Sequence, residues 1–422
     1  MTTIMKKRIT SVLSMILASV MLFFLYSCTA AKAETVDLME NITAGAVDGK
    51  ATDDTFKKAH ADFSAELFKR SFDGENTLIS PLSVMIALGM LGQGLSGESE
   101  SELERLFGGI ESEELSKYLY TYVNRLPNGE KFKTDIANSV WFNDEAYGVK
   151  ESYLQGLFDY YGAEAFRTPF NSDTAKKINK WVAEKTDGMI DKMLNDDAFD
   201  GGGNALMLIN TLLFDAKWDE PYRETQVRDG VFTTESGNEK KVSMMYSGES
   251  IYLEDENVTG VVKPYANGKY SFVGLLPKDS VSISQLAESF DGEKITALLE
   301  SASEETVTTA IPEFSYDYGL EMSGMLRSMG LERVFMPNGD FTDMFESNSG
   351  FYVSKVLHKT RIEVSPNGTK AAAATSITVT EGCAAPEEPP KKVYLDRPFF
   401  YMIVDTETDL PIFIGAVTDI GE

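Results

Sequence analysis

One segment limits the fold of this chain more than any other. It runs from Ser365-Pro366-Asn367-Gly368 through Thr369-Lys370, the alanines Ala371, Ala372, Ala373 and Ala374, and Thr375-Ser376-Ile377-Thr378-Val379-Thr380. It ends in an acidic, proline-rich stretch from Glu381-Gly382-Cys383 to Pro389-Pro390. Composition alone reads this as an alanine-rich linker ahead of a proline-rich loop. A period of two gives another answer. Thr369, Ala371, Ala373, Thr375, Ile377 and Val379 form a small or apolar row, opposed by the more polar Lys370, Ala372, Ala374, Ser376, Thr378 and Thr380. The pattern is that of a strand with one buried face. Its inward side chains are smallest at the leading end, as a strand that slides between two others requires. The stretch up to Pro390 resists regular structure and is expected to be exposed.

The rest of the chain can supply a large core. Of 422 residues, 43% are hydrophobic and 25% charged, a globular balance. The net charge of −27 is spread along the sequence, which repels phosphate backbones and excludes nucleic acid as a partner. At the start, Met5-Lys6-Lys7-Arg8 precedes an apolar run from Ile9 to Leu25 broken by Ser11, Ser14 and Ser19. That is the order of a signal peptide; a spanning helix needs about 20 largely apolar residues. Residues 1–33 are therefore expected to direct export, with two alternatives for cleavage. Leu25-Tyr26-Ser27-Cys28 resembles a lipobox, in which Cys28 is lipidated and attaches the protein to a membrane; Ala31-Lys32-Ala33 suits ordinary signal peptidase. The protein is then a cell-surface lipoprotein or is freely secreted. The only other cysteine is Cys383, so no internal disulfide is expected and stability falls to core packing. Residues 34–422 contain no linker before residue 380 and are read as one domain, expected to be a monomer.

Apolar residues recur at helical spacing from Asp54 to Arg70, and Ser80-Pro81 supplies a cap and first turn for a helix to about Leu91. Thr174 to Leu194 also reads as helix. Leu206 to Phe214 reads as buried strand, and Val231 to Met245, Val258 to Val262, Ser271 to Leu276 and Phe399 to Val404 as further strands. Helices early and strands late indicate an α+β protein. Enzyme motifs fail. Gly92-Gln93-Gly94-Leu95-Ser96-Gly97 matches GxGxxG but follows a helix, and reads as an inter-helix turn. Gly201-Gly202-Gly203 has no Lys-Ser/Thr after it and reads as a loop. No GxSxG elbow is present, and His60, His358 and two distant cysteines cannot build a nitrogen–sulfur metal site. No metal or cofactor is expected.

Several collinear motifs carry a resemblance. Gly368 to Thr375 is similar to the hinge GTEAAAAT of the serpins, and His358-Lys359-Thr360-Arg361-Ile362-Glu363-Val364 resembles their HKAxIEV. Asn76 to Ser83 resembles NxxISPLS, and Ile136 to Trp141 resembles IANSVW. Ile178-Asn179 with Trp181-Val182, Ile209-Asn210 with Lys217-Trp218, and Arg397-Pro398-Phe399-Phe400 match too. Three sites depart from the family: Pro366-Asn367 stands where acidic residues are usual before the hinge glycine, Lys370 where Glu is usual, and Asp215-Ala216 where Lys-Gly is usual. None puts charge or bulk on the inward row of the hinge.

The resemblance implies a serpin fold with three β-sheets, about eight to nine helices and an exposed reactive-centre loop near 365–392. It implies suicide-substrate inhibition rather than an enzyme. An extracellular serine protease cuts the loop and forms an acyl-enzyme. The hinge then inserts into the main sheet and traps the protease in a covalent 1:1 complex. It also implies that Ser80, Ser83, Asn210 and His358 form a polar shutter under the opening sheet, with Trp218 where the loop first enters; residue type alone would make them caps and core. The family's spacing from the hinge glycine places the reactive bond at Gly382–Cys383, within a residue or two. No Lys, Arg, Leu or aromatic residue lies between Ala371 and Pro390, so an elastase-like target is expected. Alternatives are a subtilisin-like or cysteine protease, or a non-inhibitory serpin that acts as a binding module.

Overall fold

Side-chain caps set the first helices. Asp53 accepts the Phe56 amide and starts α1 (Asp54–Ser71), while Ser80 accepts the Ser83 amide and starts α2 (Pro81–Gly92), whose residues are all buried. In the computed structural model, residues 34–126, 129–144, 148–199, 206–266, 268–337, 339–347, 350–369 and 389–420 are described. Gly92 to Gly97 is the turn into α3 (Gly97–Leu106), followed by α4 (Ser112–Arg125), α5 (Glu151–Tyr161) and α6 (Ser172–Lys185). α7 (Ile283–Glu288), α8 (Gly292–Glu300) and α9 (Ser323–Ser328) come later.

Two expectations about elements need correction. The helix read from Thr174 to Leu194 ends at Lys185, because Asp187 (φ 49°) and Gly188 (φ 76°) turn the chain left-handed. Asn179 then accepts the Met193 and Leu194 amides at 2.8 and 2.7 Å, so Ile190 and Leu194 pack back into the cluster around Ile178 and Val182 and mimic a continued helical stripe. Val231 to Met245 is a hairpin rather than one strand. Thr234 and Asn238 close its turn at 2.9 Å, with Gly237 at φ 82°.

Strands are numbered along the chain. One sheet has seven, in the spatial order β1 (Val36–Asp37), β4 (Glu164–Thr168), β3 (Phe132–Asn143), β5 (Leu206–Lys217), β13 (Gly368–Thr369), β12 (Val353–Ser365) and β11 (Phe314–Glu321). A second path runs β14 (Lys391–Tyr394), β10 (Ser303–Pro312), β7 (Glu239–Glu254), β8 (Val258–Pro264), β9 (Tyr270–Pro277), β15 (Phe399–Asp405), β16 (Leu410–Val417) and β2 (Thr77–Ile79). The first half of β7 pairs with β6 (Val227–Thr233) and its last residues with β8. The long β7 thus joins a four-stranded part, β6–β7–β10–β14, to the part β7–β8–β9–β15–β16–β2 within one nine-stranded sheet.

The main core contains α1, α2 and residues of both sheets, while a smaller cluster of Trp141, Ile178, Trp181, Val182, Met207 and Ile209 packs α6 on β3 and β5. No helix among the described residues is long and apolar enough to cross a membrane. The expected leader, with Cys28, lies outside the described residues.

Candidate functional site

The seven-stranded sheet is split at its centre. At one end β5 and β12 pair directly in parallel, Leu206 with Val353 and Leu208 with Val356. At the other end the chain leaves β12 at Ser365, turns through Pro366-Asn367, and lays Gly368–Thr369 between the same two strands, antiparallel to both. Thr369 lies opposite Ala216 and Val364, and Gly368 opposite Lys217 and Ser365. Between these ends no ladder joins Ile209–Asp215 to Leu357–Glu363. Gly368 is at φ 151°, and a Cβ there would stand 2.1 Å from the Ala216 carbonyl oxygen; only glycine fits so near β5.

Thr369 faces inward. It is 2% exposed, and its hydroxyl is 2.6 Å from that of Tyr265. Tyr265 stacks on Trp218 with centroids 4.6 Å apart and planes 10° apart. Trp218 holds the turn twice: its indole N–H donates to the Ser365 carbonyl at 2.9 Å and its backbone N–H to that of Asn367 at 3.0 Å. The Tyr222 amide donates to the Pro366 carbonyl at 2.9 Å.

Beneath the unpaired stretch, the start of α2 touches both strands. The Ser80 amide donates to Nε2 of His358 on β12 at 3.1 Å, while the Ser83 hydroxyl donates to Oδ1 of Asn210 on β5. Asn210 donates in turn to Asn138, its cross-strand partner on β3, at 2.5 Å, and Asn138 to the Tyr161 carbonyl at 2.7 Å. Thr360 adds a bond to the Leu78 carbonyl at 2.8 Å. Burial lowers the pKa of His358 to about 4, so the ring is neutral at pH 7 and Nε2 can accept.

A family profile described as Serpin (serine protease inhibitor) matches residues 58–420. The chain belongs to the serpin family. Like its other members, this serpin comes from a family of serine protease inhibitors. It is 27% identical over 362 residues to an uncharacterised serpin-like protein of Thermococcus kodakarensis, covering 84% of this chain and 83% of that protein. It is 27% identical over 385 residues to neuroserpin of Homo sapiens, covering 87% and 92%. Tengpin, a thermophilic serpin solved in its native state, superposes with a TM-score of 0.86 at 42% identity, over 92% of this chain and 100% of that one. Tengpin in its latent state gives 0.78 at 41% identity, over 88% of this chain.

The structure brings Ser80, Ser83, Asn210 and His358 into one network, and sets Trp218 against the turn that precedes the hinge. Gly368 and Thr369 are strand residues. Lys370 to Thr375, and the expected reactive bond at Gly382–Cys383, lie outside the described residues. Of the span assigned to the serpin loop, Ser365 closes β12 and Lys391–Lys392 open β14, paired with Val307 and Thr308. Sequence reasoning missed Asn138, Tyr161, Tyr222 and Tyr265. Asn138 and Asn210 each stand mid-strand, where amides are uncommon, and that was the one signal that could have linked them. Among the described residues, no group of three or more His, Cys, Asp or Glu could hold a metal ion.

Proposed function

We propose that this serpin is an inhibitory member, exported, and cut by its target protease at or next to Gly382–Cys383. The observation that carries the reading is the half-started strand: Thr369 already buried between β5 and β12, above a stretch where the two share no ladder. Continuing that register pairs Ala371 with Phe214 and Ile362, and Ala373 with Leu212 and Thr360. Thr375 falls opposite Asn210 and His358, the two shutter residues held by the start of α2. The small inward row of the hinge therefore meets a buried face along its length. The same register sets Lys370 opposite Asp215 and Glu363. Two of the departures from the family motif, Lys370 and Asp215, are thus reciprocal, with the cation on the hinge and an acid on β5.

The target is an elastase-like serine protease, because Val379, Thr380, Gly382, Cys383 and Ala384 are small or β-branched and fit a shallow primary pocket. Export follows from the leader, and lipidation of Cys28 would place inhibition at the cell surface. The test is incubation with elastase-, subtilisin-, chymotrypsin- and trypsin-like enzymes, followed by denaturing electrophoresis and mass analysis of the released peptide. A covalent complex forming fastest with the elastase-like enzyme is expected. Trapping of a trypsin-like enzyme alone, or a cut at Lys391 or Lys392, overturns the specificity and bond assignments; cleavage without any complex overturns inhibition.

A further inference from the structure

Behind the turn that carries the hinge lies an ion pair that strand insertion does not itself demand. Lys263 of β8 and Glu249 of β7 have side chains only 3% and 10% exposed, with Nζ 2.7 Å from Oε1. The ammonium also lies 4.5 Å from the ring centroid of Tyr222 and 5.5 Å from that of Trp218. Ser247 donates to Glu249 Oε1 at 2.6 Å and stands 3.3 Å from the Tyr222 hydroxyl. Tyr222 and Trp218 are the two residues whose N–H groups hold the carbonyls of Ser365, Pro366 and Asn367. Tyr265, two residues after Lys263, stacks on Trp218 and meets the Thr369 hydroxyl. One buried charge pair therefore touches both residues that fix the turn.

Stability is a weak reason for such a pair. Two well-packed apolar side chains of similar volume are commonly as stable or more so, since burying two ions costs desolvation. What an ion pair supplies is direction. An ammonium that must satisfy Glu249 and face two aromatic rings admits few arrangements of Tyr222 and Trp218, where an apolar contact admits many. We propose that Lys263 and Glu249 are positioning residues for inhibition. By fixing Tyr222 and Trp218 they hold the Ser365–Gly368 turn, keep Gly368–Thr369 seated as the nucleus of the inserted strand, and so set how fast the cut hinge follows. A seated nucleus has its ordering cost met before the loop is cut, and insertion competes with hydrolysis of the acyl-enzyme from that point. The kinetic consequence rests on the inhibitory reading; the seating of the nucleus does not.

The test is the double substitution Lys263→Met with Glu249→Met in the full chain, which removes both charges at similar volume. The variant is expected to melt at or above the parent temperature. Its Gly368 and Thr369 amides are expected to exchange with deuterium roughly tenfold faster, and its stoichiometry of inhibition to rise about twofold or more. A pair with a merely structural role moves the melting temperature and neither other quantity. Parent-like amide exchange or parent-like stoichiometry in a variant that melts like the parent overturns the proposal. If the parent traps no protease, the inhibitory reading falls and amide exchange alone decides the role of the pair. Should the double variant not fold, Ser247→Ala breaks only the link between Glu249 and Tyr222; a smaller acceleration of the same amides is expected, and none overturns the proposal.

Discussion

Thr369→Arg sets the first inserted residue of the hinge against its surroundings. Thr369 is buried, its hydroxyl meets Tyr265, and its strand neighbours Ala216 and Val364 are apolar and buried. Arginine loses the hydroxyl bond, about 1 kcal/mol. It also buries a guanidinium with no carboxylate among those neighbours, which costs about 3–5 kcal/mol for a charge left without compensation. The uncut protein can avoid this by withdrawing Gly368 and Thr369 from the sheet, at about 1 kcal/mol for each ladder bond given up. The variant therefore folds, and its loop is still a substrate. The inserted form that the inhibitory reading requires cannot avoid it, because in that form the residues that follow enter the sheet with residue 369 at their head. Even about 3 kcal/mol slows insertion more than a hundredfold, at 1.36 kcal/mol per factor of ten, while hydrolysis of the acyl-enzyme is untouched. The inhibitor becomes a substrate. Residual protease activity titrated against the inhibitor-to-protease ratio, with electrophoresis to separate complex from cut inhibitor, reads the partition. Thr369→Ser, which keeps the hydroxyl, is expected to inhibit like the parent. A Thr369→Arg variant that forms stable complexes at the parent stoichiometry refutes the inward placement of this residue during insertion.

Nicking the loop near Gly382 is expected to raise the melting temperature by about 10–20 °C, since about ten residues gain ladder bonds of roughly 1 kcal/mol each; an unchanged or lower value in calorimetry speaks against insertion. Gly368→Ala brings a Cβ against the Ala216 carbonyl oxygen and should unseat the hinge, raising the stoichiometry of inhibition without abolishing cleavage. Lys370→Glu places an acid opposite Asp215 and Glu363 and should slow trapping, and Asp215→Lys added to it should restore the rate, an interaction of about 0.5–1 kcal/mol; additive rate changes in the double-mutant cycle deny the continued register. The two histidines give a pH dependence. Burial lowers His358 to about 4 and His60 to about 3 from 6.5, so the unfolded chain binds more protons than the fold below pH 6.5. Their contribution is complete above pH 6.5 and is lost as pH falls, by about 2 kcal/mol per histidine at pH 5. Urea midpoints at pH 7 and pH 5 should differ less in His358→Gln than in the parent; equal differences refute a neutral buried ring.

Much of what depends on neighbours along the chain was legible in the sequence. The cap at Ser80, the glycine turn from Gly92 to Gly97 and the alternating row that puts Thr369 inward each follow from residues a few positions apart, where helical or extended geometry fixes which side chains share a face. The same local logic misread Ile190 and Leu194 as continued helix, because a stripe of apolar residues looks alike whether the helix goes on or the chain folds back over it. The polar network and the mouth of the sheet needed tertiary structure. Ser83 and Asn210 are 127 positions apart, Asn138 and Asn210 72, and Tyr265 and Thr369 104. Lys263 and Glu249 are only 14 apart, yet neighbouring strands β7 and β8 had to bring them together before Tyr222 and Trp218 could cover the pair. A sequence states which side chains are polar. Burial and partner, which decide whether a serine is a cap or a link and whether a lysine is solvated or clamped, exist only once the sheets have packed.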